Sequence, residues 1–293
     1  MSTLNTQVWV KQIQKNLYPA VLFLNYAKKF DEFVNNDIIN IADAGFDPAV
    51  LINNTTYPIA INEREDTNRS FELDLFETEN TLVSRPKSIE YSYDKMESVI
   101  YGHRMALQTR IGMKAAHAYA PQSDTANTPV IATTGEDNGD GYKRIRVEDI
   151  LKLKRRYDML DIPQDKRFLV LDPRHTEDLI LFDLKAFKDI TDFANGLPKR
   201  FAGFNVLEFT KNPTYNATTG QKKAFGTVPL STDAFCSFAF SSDEVMRADG
   251  TMQMYERPND PELRGTIIGF DKRFIAMPIR NKGVGAIISA KTS

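Results

Sequence analysis

An α+β fold is predicted by three features of the chain. Apolar residues recur at helical spacing over a stretch around residue 100 that is about twice the length of an average helix. Residues 147–182 alternate helix and strand signals. Beyond residue 203 the two-residue period of strands dominates, with turn residues between the segments. Helices and strands are thus largely segregated along the chain, which is the α+β pattern.

The first 36 residues are apolar without a steady period: Val8, Trp9, Val10, Ile13 and Leu17, then Val21, Leu22, Phe23, Leu24, Tyr26, Phe30 and Phe33. Pro19 forbids one continuous helix, and a helical stretch is expected over 25–34. So apolar a terminal arm has to cover something, either its own domain or a neighbouring subunit. Residues 38–91 then turn to extended segments. Strands are expected at 57–61 and 71–76, the second alternating Phe71, Leu73 and Leu75 with Glu72 and Asp74. Between them a polar tip, 62–70, carries Glu63, Arg64, Glu65, Asp66 and Arg69. A ribbon this long with so few apolar groups at its tip is marginal alone and leans on something outside itself.

The strongest helix signal follows. Asp94 is placed as N-cap with Glu97 three residues on, and Met96, Ile100, His103, Leu107, Ile111, Ala115 and Ala118 recur at spacings of three and four until Pro121 stops the pattern. At 1.5 Å per residue, 94–118 makes a rod of about 37 Å. Residues 121–142 are expected to be loop. A helix over 147–160 stops before Ile162-Pro163, and 167–171 is a short buried strand. Asp172-Pro173 supplies an N-cap and a first-turn proline for a helix to 182, and another is expected at 184–193, closing at Asn195-Gly196. Strands are then expected at 204–210, 234–240, 251–257, 266–270, 274–279 and 284–289, with turns at Asp249-Gly250, Asn259-Asp260-Pro261 and Lys282-Gly283. No internal repeat is evident.

Composition narrows the function. The 293 residues are 42% hydrophobic, which excludes disorder, and 37 Lys+Arg against 39 Asp+Glu give a net charge of −2. Near neutrality argues against a protein that coats nucleic acid with a broad basic face. Cys236, the sole cysteine, cannot form an internal disulfide, and 1–11 lacks a signal-peptide pattern, so a cytosolic chain is expected. The longest apolar stretches, such as 18–24, are too short to span a bilayer, and no membrane partner is expected. Three histidines, one cysteine and one tryptophan are a poor stock for catalysis and favour a structural or interaction protein.

Each candidate chemistry has a simpler reading. Residues 136–141 resemble a calcium loop, but position 12 is Val147 where a bidentate Glu is needed, so a solvated turn is expected. Cys236 lies in an apolar run and is expected to be a buried, inert thiol. His103 sits on the apolar face of the long helix as a packing residue; His117 has no thiol partner with better standing; His175 is expected at the surface or in a cap. Carboxylate pairs such as Glu63/Glu65/Asp66 and Asp243/Glu244 are expected by chance in so acidic a chain. No phosphate-cradling, nucleophile-elbow or zinc motif is present. The basic run Lys143, Arg144, Arg146, Lys152, Lys154, Arg155 and Arg156 reads as a solvated helix face before a polyanion contact. No catalytic, cofactor-binding or metal-ligating residue is assigned, and the chain is read as a non-enzyme.

The order of these elements resembles the HK97-fold major capsid proteins of tailed bacteriophages. The residues that carry the resemblance are the hairpin pattern over 41–91, the helix 94–118, Phe168-Leu-Val-Leu-Asp-Pro173, Gly203-Phe-Asn-Val206 and the run 265–289. It implies an N-terminal arm (1–36), an E-loop hairpin (37–92), a P-domain with the spine helix (93–145), an A-domain (146–245), P-domain return strands (246–280) and a last A-domain strand (281–293). It further implies self-assembly into hexamers and pentamers of an icosahedral head, made in the host bacterial cytoplasm and enclosing double-stranded DNA without sequence-specific binding. A separate scaffolding protein and a portal are the implied partners, and no cofactor is implied. Candidate subunit contacts are Trp9, Phe23, Glu63, Arg64, Glu65, Asp66 and Arg69. An encapsulin-like shell and, from a different class, a cytosolic carboxylate-dependent enzyme are the alternatives.

Overall fold

The computed structural model describes residues 21–35, 38–43, 50–55, 57–59, 67–182 and 199–292. In chain order, a 3-10 turn (Leu22–Tyr26) leads to β1 (Lys28–Lys29), a second turn (Asp31–Phe33) and β2 (Val34–Asn35). Then come β3 (Ile38–Asp43), β4 (Thr67–Glu72), β5 (Asp74–Glu77), β6 (Thr81–Ser84), α1 (Arg85–Tyr119), β7 (Val130–Ala132), α2 (Val147–Asp158), β8 (Arg167–Leu171) and α3 (Pro173–Phe182). The remainder is strand: β9 (Lys199–Phe201), β10 (Phe204–Glu208), β11 (Tyr215–Asn216), β12 (Asp233–Ala234), β13 (Cys236–Ser241), β14 (Val245–Asp260), β15 (Gly265–Pro278) and β16 (Val284–Ile288).

Two sheets dominate. One runs β7-β16-β13-β8-β10-β9, and the other β1-β14-β15-β5 with β6 following β5 along the same edge of β15. In the first, every residue of β8, β13 and β16 is buried, because both faces are covered. Alternation sorts their side chains between two cores. Phe168, Val170, Cys236, Phe238, Phe240, Val284, Ala286 and Ile288 face α1 and the arm, whereas Leu169, Leu171, Ala239 and Ile287 face α2 and α3. Met252, Met254, Ile268, Phe270 and Phe274 of the second sheet join the first of these cores.

Local chemistry explains the helices α2 and α3. The Asp149 carboxylate, fully buried three residues into α2, accepts hydrogen bonds from Arg146 N at 3.1 Å and from Thr134 N at 3.0 Å, tying the first turn of α2 to the preceding loop. Asp172 Oδ1 accepts from Arg174 N at 3.1 Å, capping α3.

Several expectations are corrected. The long helix starts at Arg85 after Ser84, with a proline in its first turn, so Asp94 is interior and not a cap. At 35 residues it is about 50 Å long. Ile89 and Tyr93 carry the three- and four-residue spacing of Met96 and Ile100 back into the first turns, where the acidic pair Asp94/Glu97 had offered a second, false start signal. No α-helix forms over 25–34, because Ala27 is extended and Lys28-Lys29 pair in parallel with Met246-Arg247 on the edge of β14. The ribbon is present with a different partner: β4 pairs with β3, and described residues 57–59 form no strand. The expected strand 71–76 breaks at buried Leu73, after which β5 joins β15. Asp249-Gly250 is a register shift within β14, not a turn, and 266–270 with 274–279 form the single strand β15. The segment 121–142 contains β7. The turn at Lys282-Gly283 stands where expected: Gly283 has φ +73°, and its carbonyl accepts from Ser241 N at 2.8 Å. Residues 1–20, most of the hairpin tip and the expected helix 184–193 with Asn195-Gly196 lie outside the described residues.

Candidate subunit-contact surface

The polar groups that suggest chemistry are sealed in the interior. His175, expected at the surface, is 1% exposed because the first turn of α3 faces the sheet. Its Nδ1 lies 2.7 Å from Ser237 Oγ and its Nε2 2.8 Å from Ser289 Oγ, so one ring ties α3 to β13 and to the end of β16. Burial pulls its pKa down to about 4, with Arg174 adding to the effect, so the ring is neutral at pH 7. The Ser–His pairing has the shape of a nucleophile and base, yet Ser237 is fully buried and Ser289 nearly so, leaving no room for a substrate. Cys236 is likewise fully buried, and burial raises its thiol pKa, which makes it unreactive.

The acidic loop 136–141 satisfies itself. Asp137 Oδ1 accepts from Gly139 N at 2.8 Å and Gly141 N at 3.2 Å, while Asn138 Oδ1 accepts from Asp140 N at 2.9 Å. Among the described residues no group of three or more His, Cys, Asp or Glu side chains is arranged to hold a metal. Much of the basic run is paired within the chain: Arg144 with Asp178, Arg146 with Glu136, Lys152 with Asp149, Lys154 with Asp158 and Arg156 with Asp124. These cations are largely compensated before any polyanion arrives.

The surface holds the more informative features. Phe23 is 1% exposed, with its ring edge-on to Tyr119, Phe209 and Phe238 at centroid distances of 5.2–6.1 Å. A side chain so enclosed anchors the arm to its own domain. Arg69 is exposed on β4 opposite Ile41. Trp9, Glu63, Arg64, Glu65 and Asp66 lie outside the described residues.

Sequence reasoning missed the segment 50–59. It exposes Val50 (87%), Leu51 (55%), Ile52 (84%), Tyr57 (73%) and Ile59 (50%). The signal was available, since no charged residue stands between Asp47 and Glu63. Sequence reasoning also missed a groove of about 830 Å³ between α1 and the edge formed by β5 and the turn after it. Its apolar lining includes Leu75, Phe76, Val99, Ala106, Leu107 and Phe225. Its charged rim is partly engaged, with Lys114 3.4 Å from Asp74 and the Arg110 guanidinium 5.8 Å from the Phe225 ring centre. His103, 7% exposed, lines the groove with Nε2 lacking a hydrogen-bond partner, and burial lowers its pKa.

No sequence-family model matches the chain, and no curated protein matches it. Solved structures do. The chain is similar to the capsid structure of the cyanophage P-SCSP1u at 14% identity and TM-score 0.63, over 91% of this chain and 87% of that one. It is similar to the capsid of Ralstonia phage GP4 at 10% identity and TM-score 0.62, over 92% and 88%. A structure from Mycobacterium phage Che8 matches at 13% identity and TM-score 0.61, over 90% of each chain. Agreement of backbone over nine-tenths of the chain, at identities this low, is agreement of architecture: the protein has the fold of bacteriophage capsid subunits.

Proposed function

We propose that this chain is a major capsid protein, assembling as hexamers and pentamers into an icosahedral phage head that encloses double-stranded DNA. The observation that carries the reading is the near end-to-end match, in both directions, to capsid structures. Physical features agree with it. The buried Ser–His pair and the sealed thiol are unsuited to catalysis, whereas an exposed apolar segment on a thin ribbon suits a subunit completed by its neighbours. Many moderate contacts repeated by symmetry then hold the shell.

In this reading residues 1–36 are the arm, α1 is the spine of the P-domain, the β14–β15 sheet belongs to the same domain, and 146–245 with the last strand form the A-domain. The E-loop is 37–92, within which the chain leaves the β3–β4 ribbon at Leu73 for the β15 edge. A scaffolding protein and a portal are the further partners, and the site of synthesis is the host bacterial cytoplasm. The test is negative-stain electron microscopy of the full chain expressed alone and with its scaffold. Closed shells are expected, and nuclease treatment of shells from infected cells should leave protected DNA. A stable monomer or dimer under every condition overturns the reading, and shells filled with a protein cargo replace it with a nanocompartment.

A further inference from the structure

We propose that Asn138-Gly139 is a self-modification site, at which the backbone nitrogen of Gly139 closes onto the Asn138 side chain and converts that residue to aspartate and isoaspartate. The reaction belongs to the single folded chain and stands apart from the capsid reading. Among the described residues Asn138 is the one asparagine followed by glycine, the residue that crowds its own backbone nitrogen least. The nucleophile, the base and the donors that such a cyclisation needs are gathered within residues 137–142.

The nucleophile is Gly139 N. Its N–H donates to Asp137 Oδ1 at 2.8 Å, so the proton it must lose already points at a carboxylate. That carboxylate is kept ionised, because the hydrogen bond from Gly139 N, followed by those from Thr292 and Gly141, holds its pKa below the usual carboxylate range. The electrophile is Asn138 Cγ. Its carboxamide accepts from Asp140 N at 2.9 Å and from Tyr142 N at 3.3 Å, and since both partners are donors the atom that faces them is Oδ1, not Nδ2. Two backbone N–H groups on a carbonyl oxygen stabilise the charge that develops there when its carbon is attacked, as in an oxyanion hole. The bond from Asp140 N also closes a ring that contains both Cγ and the Gly139 nitrogen, which keeps the reacting atoms together. Gly139 has φ +97°, a conformation that favours glycine, and a Cβ built there meets nothing within 4 Å. The site is open to water.

The chemistry balances without a cofactor. The bond from Gly139 N to Cγ forms, the Gly139 proton passes through Asp137 to Nδ2, and the Cγ–Nδ2 bond breaks to release ammonia and leave a cyclic imide. Water then adds to either imide carbonyl, at a place where Asp137, Gly139 and Asp140 are exposed. Opening at Cγ gives aspartate; opening at the backbone carbonyl gives isoaspartate, whose main chain runs through the side-chain carbon and is one atom longer. The second product has a structural consequence. The loop clasps residues 290–292, which follow β16: Thr292 N donates to Gly141 O at 3.1 Å, Thr292 Oγ1 to Asp137 Oδ2 at 3.1 Å and Lys143 N to Ala290 O at 2.8 Å. A longer main chain at 138 pulls the side-chain oxygen away from Asp140 and Tyr142 and loosens that clasp, and either product adds a negative charge.

The test is peptide mapping by mass spectrometry, with isoaspartate counted by an isoaspartyl methyltransferase assay. The folded full-length chain is stored at neutral pH beside a synthetic peptide of residues 134–142. The folded chain is expected to convert Asn138 at least fivefold faster than the peptide, which has the same dipeptide without the fixed base and donors. Asp137→Asn, which keeps the acceptor oxygen and removes the base, should slow conversion in the folded chain at least fivefold. The comparison with the peptide needs no variant, so it decides the matter if Asp137→Asn disturbs the loop. A folded-chain rate at or below that of the peptide, or an unchanged rate in a folded Asp137→Asn chain, overturns the proposal. Either result is independent of whether shells form, so the failure of this inference and the failure of the capsid reading are read separately.

Discussion

The sheet around β8 and β13 and the ribbon β3–β4 are built on opposite principles. The sheet is sealed on both faces by helices and the arm of its own chain, down to full burial of Phe238 and Phe240. The ribbon buries Ile39 against the β14–β15 sheet and then carries 50–59 into solvent with its apolar side chains uncovered. One region is closed by its own chain, and the other leaves apolar side chains uncovered. The two should therefore separate cleanly in their response to mutation: changes in the sheet act on the isolated subunit, and changes in the ribbon act on assembly.

The largest effect on the isolated subunit is expected from Phe238→Ala. Phe238 is fully buried, 5.4 Å from Phe23 and 6.2 Å from Phe240 between ring centres, so truncation leaves a cavity between arm and sheet. Losses of about 3–5 kcal/mol are typical of such changes. Denaturant unfolding of the subunit measures it, and a loss below about 1 kcal/mol breaks the claim that the arm completes this core. Ile52→Asp is the counterpart. It should leave subunit unfolding within about 0.5 kcal/mol of wild type, as for other surface changes, while shells disappear from micrographs.

Acid should find the sheet before the ribbon. His175 has its pKa lowered by burial from 6.5 to about 4. As pH falls below 6.5 the unfolded chain takes up a proton that the folded ring refuses, so stability drops between pH 6.5 and 4 and is fully present above. At 1.36 kcal/mol per unit the loss approaches about 3 kcal/mol. Denaturation midpoints at pH 7 and pH 4.5 measure it, and His175→Gln should flatten that dependence. An unchanged slope in the variant would assign the acid response to other groups.

The same contrast separates what was legible in the sequence from what was not. Asp172-Pro173 announced α3, and the apolar runs of β8, β13 and β16 announced a sheet buried on both faces, because caps and burial leave local marks. The partner of β4 was not legible, since a two-residue period says which face is buried and not which strand lies alongside. The Asp94/Glu97 pair mimics a cap and hid the start of α1 at Arg85, although Ile89 and Tyr93 extend the apolar repeat toward it. The 50–59 segment was legible as a charge-free run, but its meaning depends on its exposure, which only the fold supplies. Trp9, Glu63, Arg64, Glu65 and Asp66 lie outside the described residues, and of the residues first singled out for contact Arg69 alone is both described and exposed.

The smallest predicted change sharpens the comparison most, because its two readouts move in opposite directions. Gly102 sits in the interior of α1, where alanine is favoured by about 0.8–1 kcal/mol. A Cβ there meets no atom within 4 Å, so Gly102→Ala should raise subunit stability by roughly that amount without strain. Were the open space beside Gly102 only a gap in packing, assembly would be untouched or helped by the firmer helix. If it holds a neighbour's side chain, even one methyl group intrudes on that contact, and Gly102→Leu intrudes more. Thermal unfolding of the subunit alongside shell yield across glycine, alanine and leucine should show stability rising first while yield falls throughout. Parallel rise of both would return the groove to a feature of the single chain.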